Sequence, residues 1–211
     1  MRLPDPPLLL VTDRRQARRP LREIVAAALQ AGCRWLSVRE KDLSEAEQIL
    51  LARSLIPIAH AHGAKLMLHG EAALAKLAKA DGVHLRAGSD AGVARAQIGH
   101  ERLLGASVHT ITEAAAVDPE VADYVLAGPA FETDSKPGYG PEIGRKGLTQ
   151  IARAARVPVL AIGGINTARV GEVIAAGCAG IAVMGGVMRA SDPEREVGAL
   201  LATLQGYPRA R

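Results

Sequence analysis

Short apolar runs alternate along the chain with longer amphipathic, alanine-rich stretches. The runs at 8–12, 35–39, 65–69, 82–85, 104–108, 124–127, 157–162 and 180–184 have strand length, and each predicts a β-strand. The stretches at 21–31, 44–62, 71–80, 112–117, 148–155 and 167–176 predict helices. Ser44 with Glu47 forms a capping-box pair, and Pro193 followed by Glu194 and Glu196 suits the first turn of a final helix. Strands alternating with helices predict a parallel sheet. Eight such units in 211 residues fit an α/β fold, the (β/α)8 TIM barrel, as one domain over residues 1–211. A doubly wound open sheet is the alternative, but no GxGxxG follows the first strand.

An imperfect repeat supports the barrel. AGCRWLSV, AKADGVHL, EVADYVLAG and AAGCAGIAV each enter a strand through a small residue and then Cys or Asp. Cys33, Asp81, Asp123 and Cys178 therefore share a slot at the N-terminal end of the strands, the face of a barrel that serves stability. Both cysteines read as packing residues. Neither sits in a CxxC pair or a Cys/His cluster, a reduced pattern that predicts a cytoplasmic protein without a zinc site. No apolar run reaches the length of a membrane span, and MRLPDPPLLL lacks the long apolar stretch of a signal peptide. Aromatic residues are only 2% of the chain, which argues against base-stacking nucleic-acid modules. A net charge of +4 suits a small phosphorylated substrate. The densest basic patch, Arg14, Arg15, Arg18 and Arg19, reads as an exposed loop. Neither a membrane nor a nucleic acid is expected as a partner.

In a barrel, function gathers where the strands end. Strand two ends in Arg39-Glu40-Lys41, and residues two apart on an extended strand share a face, so Arg39 and Lys41 form a cationic pair. Strand five offers Ser107 and His109 on one face by the same spacing. Strand seven runs into Gly163-Gly164, and strand eight into Met184-Gly185-Gly186. Glycine pairs expose backbone N–H groups at helix starts, where anions are favoured, and barrels often hold a phosphate after strands seven and eight. After strand six the chain reads GPAFETDSKPGYGPEIG, an uncommonly long connection that predicts a lid over the mouth at 128–146. Its Thr133, Ser135 and Lys136 suit an anionic ligand. The pattern thus predicts two anion-binding regions, glycines at strands seven and eight and cations at strand two and on the loop.

The ordered motifs VTD, REK, ADGVHL, GASVHT, ADYVLAGPAFETDSK, PVLAIGGIN and GIAVM resemble the thiamine-phosphate synthase/TenI superfamily over almost the whole chain. The resemblance implies a thiamine-biosynthesis barrel that binds a thiazole phosphate, and a homo-oligomer. Synthases of this family join hydroxymethylpyrimidine diphosphate to the thiazole phosphate, whereas TenI-type members include tautomerases that move a proton on a carboxythiazole phosphate. By position, the resemblance gives Arg39, Lys41 and Lys136 to pyrophosphate. It gives Ser107, Thr133 and Ser135 to the pocket wall, and Gly163, Gly164 and 184–186 to the thiazole phosphate.

The departures from the family pattern set the order of the readings. Synthases carry Asn-Asp after strand three, the Asp binding magnesium; here His69-Gly70 stands there, and glycine has no side chain to ligate a metal. Ser37 replaces a usual glutamine, and the second magnesium position falls on Ser89 or Asp90. The first reading is therefore a TenI-like protein without a cofactor, with proton transfer open to His69 or His109, because imidazole titrates near neutral pH. Pro129 occupies the position of the tautomerase histidine, so that role is not filled there. The second reading is a synthase whose magnesium is held by the displaced Glu71 and Asp90, with a pyrimidine diphosphate as second substrate. The third is a catalytically silent thiazole-phosphate or thiamine-phosphate binder.

Overall fold

The structure, a computed structural model, describes residues 3–133, 135 and 141–207. Eight strands form a closed, all-parallel barrel in sequential order: β1 (Leu8–Val11), β2 (Trp35–Val38), β3 (Lys65–His69), β4 (Gly82–Leu85), β5 (Leu103–Val108), β6 (Tyr124–Ala127), β7 (Val159–Ile162) and β8 (Gly180–Val183). The first strand pairs with the eighth through Leu9 opposite Ala182, which shuts the sheet and leaves no edge. Around it run α1 (Leu21–Gln30), α2 (Glu45–Ala61), α3 (Ala72–Ala78), α4 (Ala91–Ile98), α5 (Ile111–Ala116), α6 (Gly144–Ala154), α7 (Thr167–Ala175), the short α8 (Gly185–Met188) and α9 (Pro193–Gln205). The expected capping box opens α2, and Asp192 caps α9, with Pro193 in its first turn. Helices α4 and α8 are additions to the sequence reading. Among the described residues no helix is long and apolar enough to cross a membrane.

Two cores follow from strand alternation. Outward positions such as Leu8, Leu10, Leu36 and Leu66 pack under the helices. Inward positions, including Leu9, Val11, Trp35, Met67, Leu103, Tyr124 and Leu160, fill the barrel itself. Burying each large apolar side chain contributes roughly 1.5–3 kcal/mol. The two interior aromatics, Trp35 and Tyr124, meet edge to face with centroids 4.7 Å apart. The Tyr124 ring fits because its neighbour across the β5–β6 ladder is Gly105, where any side chain would collide with it.

The repeated slot at the strand entries has a physical role. Asp81 accepts the backbone N–H of Leu66 at 2.8 Å, and Asp123 accepts that of Leu104 at 2.8 Å, so each carboxylate ties its strand to the preceding one. Arg95 joins the second of these, pairing with Asp123 at 2.8 Å while donating to the carbonyls of Gly99, Arg102 and Val121. Cys33 and Cys178 are buried, and burial pushes the Cys33 thiol up to about 11 and Cys178 up to about 12. Such thiols stay protonated and pack, as their slot implied.

Candidate functional site

The barrel mouth opens into a cavity of about 550 Å³ at the C-terminal ends of the strands. Of the residues singled out in the sequence, Arg39, Lys41, His69, Ser107, His109, Thr133, Ser135, Gly163, Gly164, Met184, Gly185 and Gly186 all line it. Lys136 lies outside the described residues. Arg86, Glu132, Asn166 and Arg189 line it as well and are additions to that set. Arg86 was detectable by the same spacing rule that pairs Arg39 with Lys41, because it stands two residues beyond the inward His84.

The cationic side is built from the ends of β2 and β4. Arg39 is half-buried; its backbone N–H donates to Thr12 Oγ1 at 3.0 Å, and its guanidinium reaches Met184 Sδ at 3.9 Å across the mouth. It therefore lies between the strand-two cations and the glycine region instead of beside only one of them. Burial, outweighing the attraction of Asp13 and Glu40, lowers its proton affinity, and Arg86 adds repulsion. Lys41 is pushed down chiefly by Arg39, then by burial and by Arg86. Glu40, between the two cations in sequence, does not pair with either of them at the surface. It is 2% exposed, accepts from the Thr12 hydroxyl at 2.6 Å and from the Arg14 N–H at 2.9 Å, and burial raises its carboxyl. Thr12 thereby relays Glu40 to the Arg39 backbone. Asp42 pairs instead with Arg14 at 2.7 Å.

Beneath the cations is a polar layer of neutral groups. His84 is fully buried inside the barrel, with Nδ1 3.0 Å from the Tyr124 hydroxyl and Nε2 3.0 Å from Ser107 Oγ. A neutral imidazole donates through one nitrogen and accepts through the other, so these two hydroxyls take opposite roles. Burial, with help from Arg39, holds His84 down at about 3. The His69 ring lies 4.9 Å from that of His84, and burial followed by His84 and the three cations presses it well below the usual imidazole range. His69 Nδ1 and Ser37 Oγ are buried without a hydrogen-bond partner among the described residues. His109 lines the cavity with Nδ1 held by the Gly128 carbonyl.

These depressed histidines set an acid sensitivity. The unfolded chain protonates them near pH 6.5, whereas the native state resists until far lower pH. The unfolded state then binds more protons below about pH 6.5, so stability falls as pH drops through that window, by up to about 1.4 kcal/mol per pH unit for each histidine. His84→Asn keeps an amide donor and acceptor but removes one titration. Its urea midpoint is expected to fall less than that of the unaltered protein between pH 7 and pH 5.

The glycine side carries the loop. Gly163 and Gly164 adopt φ of 104° and 64°, which glycine reaches without strain. The loop after β6 zips onto them: Ala130 N–H donates to Ile162 O at 2.7 Å, and Phe131 N–H to Gly163 O at 3.1 Å. A side chain at Gly164 would collide with the Glu132 carbonyl. The loop is also closed on itself, with Ile143 N–H on Pro129 O and Gly144 N–H on Ala130 O, both at 2.9 Å. It ends at Ile143, where α6 follows at Gly144, three residues short of the expected boundary. Ser135 N–H donates to Thr133 Oγ1 at 3.2 Å, and Arg189 donates to Ser135 Oγ at 3.2 Å and to Gln16 Oε1. Gly185 is what allows this, since a side chain there would strike both Ser135 and Arg189.

The magnesium that the resemblance attaches to synthases finds a poor set of donors. Glu71 precedes α3 and is not among the residues lining the cavity. Asp90 is exposed, and its carboxylate caps α4 by accepting Val93 N–H at 2.9 Å. Gly70 offers no ligand. Among the described residues no group of three or more His, Cys, Asp or Glu is placed to hold a metal. The described residues at the mouth fit anions, not a divalent cation.

Comparison with known proteins agrees with this architecture. The family model described as thiamine monophosphate synthase, TMP-TENI, matches residues 8–187. A thiamine-phosphate synthase of Roseiflexus sp. (strain RS-1) is 41% identical over 199 residues, covering 92% of this chain and 84% of that protein. A putative thiamine-phosphate synthase of Geobacter sulfurreducens is 40% identical over 206 residues, covering 97% of this chain and 96% of its own length. The solved structure of a thiamine phosphate pyrophosphorylase from Pyrococcus furiosus superposes with a TM-score of 0.83 at 32% identity, covering 94% of this chain and 95% of that one. A closed barrel with a mouth lined by cations and glycines, matched in sequence over nearly its whole length, places this chain in the thiamine-phosphate synthase/TenI family.

Proposed function

We propose that the protein is a thiamine-phosphate synthase, joining hydroxymethylpyrimidine diphosphate to a thiazole phosphate. This reverses the order given by the sequence, which put a TenI-like reading first. The observation that carries it is the convergence of Arg39, Lys41 and Arg86 on one wall of a cavity whose other wall is the glycine region of β7 and β8. One phosphate needs a single anion cradle. Two anionic substrates, one a diphosphate, need a second and stronger one. The names of the similar proteins support the same reading.

The chemistry follows from placement. The thiazole nitrogen forms a C–N bond to the pyrimidine methylene carbon as the C–O bond to diphosphate breaks, and the electron pair leaves on the diphosphate oxygen. Cations already fixed where that charge develops lower the barrier without reorganising. The N–H groups around Gly163–Gly164 and at the start of α8, with Ser135 and Arg189, suit the thiazole phosphate. His69 Nδ1 and Ser37 Oγ offer hydrogen bonds to a polar heterocycle edge. The neutrality of His69 and His84 keeps further positive charge out of the barrel centre.

The test is direct: purified protein, both substrates and magnesium, scored for thiamine phosphate. Sustained formation above the protein-free rate is expected; its absence would sink the synthase reading. A proton-transfer reading rests on His109, because His69 binds a proton too weakly to serve as an efficient base near neutral pH. It predicts accelerated aromatisation of the carboxythiazole phosphate that disappears in His109→Ala.

A further inference from the structure

Strand β3 passes between the two strands that carry the arginines, and His69 and Gly70 at its end offer no charge to a metal. Gly70 follows His69 with φ of 138°, its N–H donates to His84 O on β4 at 2.9 Å, and a side chain built on it would meet nothing within 4 Å. The space over β3 is therefore open, and Arg86 rises beside it from the end of β4. Arg86 sits at the inward position two beyond His84, as Arg39 sits two beyond Ser37, so strand alternation points both into the same cavity.

We infer that Arg86 supplies the charge that a divalent ion would otherwise bring to the diphosphate, so that Arg39, Lys41 and Arg86 bind it without a metal. The inference rests on the synthase reading for its substrate, but the anion site itself does not. Among the described residues, Glu71 at the start of α3 is not part of the cavity lining, and the other carboxylates near the cations are committed elsewhere. Asp13 accepts from Arg15 N–H at 3.2 Å and Gln16 Nε2 at 2.7 Å, Glu40 is held by Thr12 and Arg14, and Asp90 caps α4. Glu132 lines the cavity, but on the β6–α6 loop against the glycines of β7. The cations, by contrast, have been brought close enough to repel one another, since Arg86 disfavours the charged forms of both Arg39 and Lys41. A bound polyanion relieves that repulsion. Arginine adds a planar fork that can take two phosphate oxygens at once.

The balance of the step is unchanged. The C–N bond forms, the C–O bond breaks, and the diphosphate leaves with its electron pair toward three cations instead of toward an ion.

The test measures binding of inorganic pyrophosphate by calorimetry to chelator-treated protein, with and without added magnesium, together with turnover in chelator. Pyrophosphate is expected to bind in chelator about as tightly as in magnesium. Arg86→Gln should weaken the metal-free binding by about ten- to a hundredfold, the scale of one hydrogen bond to a charged group. Arg86→Lys should recover part of it. Arg86 is exposed, and circular dichroism of each variant checks the fold. Pyrophosphate binding that appears only with magnesium, or is indifferent to Arg86, would overturn the inference. So would turnover that is abolished by chelator and also by Glu132→Gln, because that outcome gives the role to a metal held by the loop. Intact Arg86-dependent pyrophosphate binding with no thiamine phosphate formed under any condition would remove the synthase reading and leave the metal-free anion site standing.

Discussion

Replacing Arg39 by methionine is expected to lower turnover in the synthase assay by about 10²–10³-fold, the typical loss when one fixed donor to developing charge is removed. The position explains the size. Arg39 is half-buried just beyond β2, its backbone held by Thr12 and its guanidinium against Met184 between β8 and α8, so it faces the centre of the mouth. Methionine keeps much of the apolar stem and leaves the packing against Met184 available, which isolates the charge. A lysine in its place retains charge but loses the fork and the reach, and only partial recovery is expected. The variant should lose kcat more than affinity for the thiazole phosphate. A change confined to KM would mean that Arg39 holds substrate equally in the ground and transition states.

At the opposite end of the barrel, Arg95→Met is expected to destabilise the fold by about 3–5 kcal/mol, the cost of leaving a buried ionic partner uncompensated. Arg95 is only 7% exposed, and its guanidinium serves Asp123 and three backbone carbonyls. Methionine matches its length but donates to none of them. Against a typical total of about 5–15 kcal/mol, the loss is large. Urea denaturation followed by circular dichroism measures it. Because Arg95 lies near the stability face, kcat of the folded fraction at low temperature should be unchanged. A loss below about 1 kcal/mol would show that water replaces the guanidinium at these carbonyls.

Much of the fold was legible in the sequence because strand and helix leave different periods. Three strands, β3, β4 and β6, match their predicted limits, and the others differ only at their ends. The segments after β4 and β8 were not recognised as helices for local reasons. The α4 segment AGVARAQI has a weak apolar face, and α8 is only four residues long, beginning with two glycines. Asp90 before α4 was the available signal, since its carboxylate caps the helix. At the site, every named residue on a strand end or glycine turn lines the mouth, because alternation along one strand is a local property. The burial of Glu40 was not legible for the complementary reason: its neighbours Arg39 and Lys41 point inward, but the hydroxyl it accepts from, that of Thr12, comes from the end of the preceding strand.

The sequence by itself determined the eight-unit alternation, the end of the barrel where chemistry gathers, and the glycines that bring backbone to an anion. Each is written in spacing along one stretch of chain. Only the tertiary structure decided that Arg86 joins Arg39 and Lys41, that Arg189 fastens Ser135 over Gly185, and that His69 and His84 lie neutral beneath the cations. Those outcomes depend on which strands become neighbours and on how much water is removed between them. Charge, proton affinity and metal fit are set across strands, over distances that spacing along the chain does not encode.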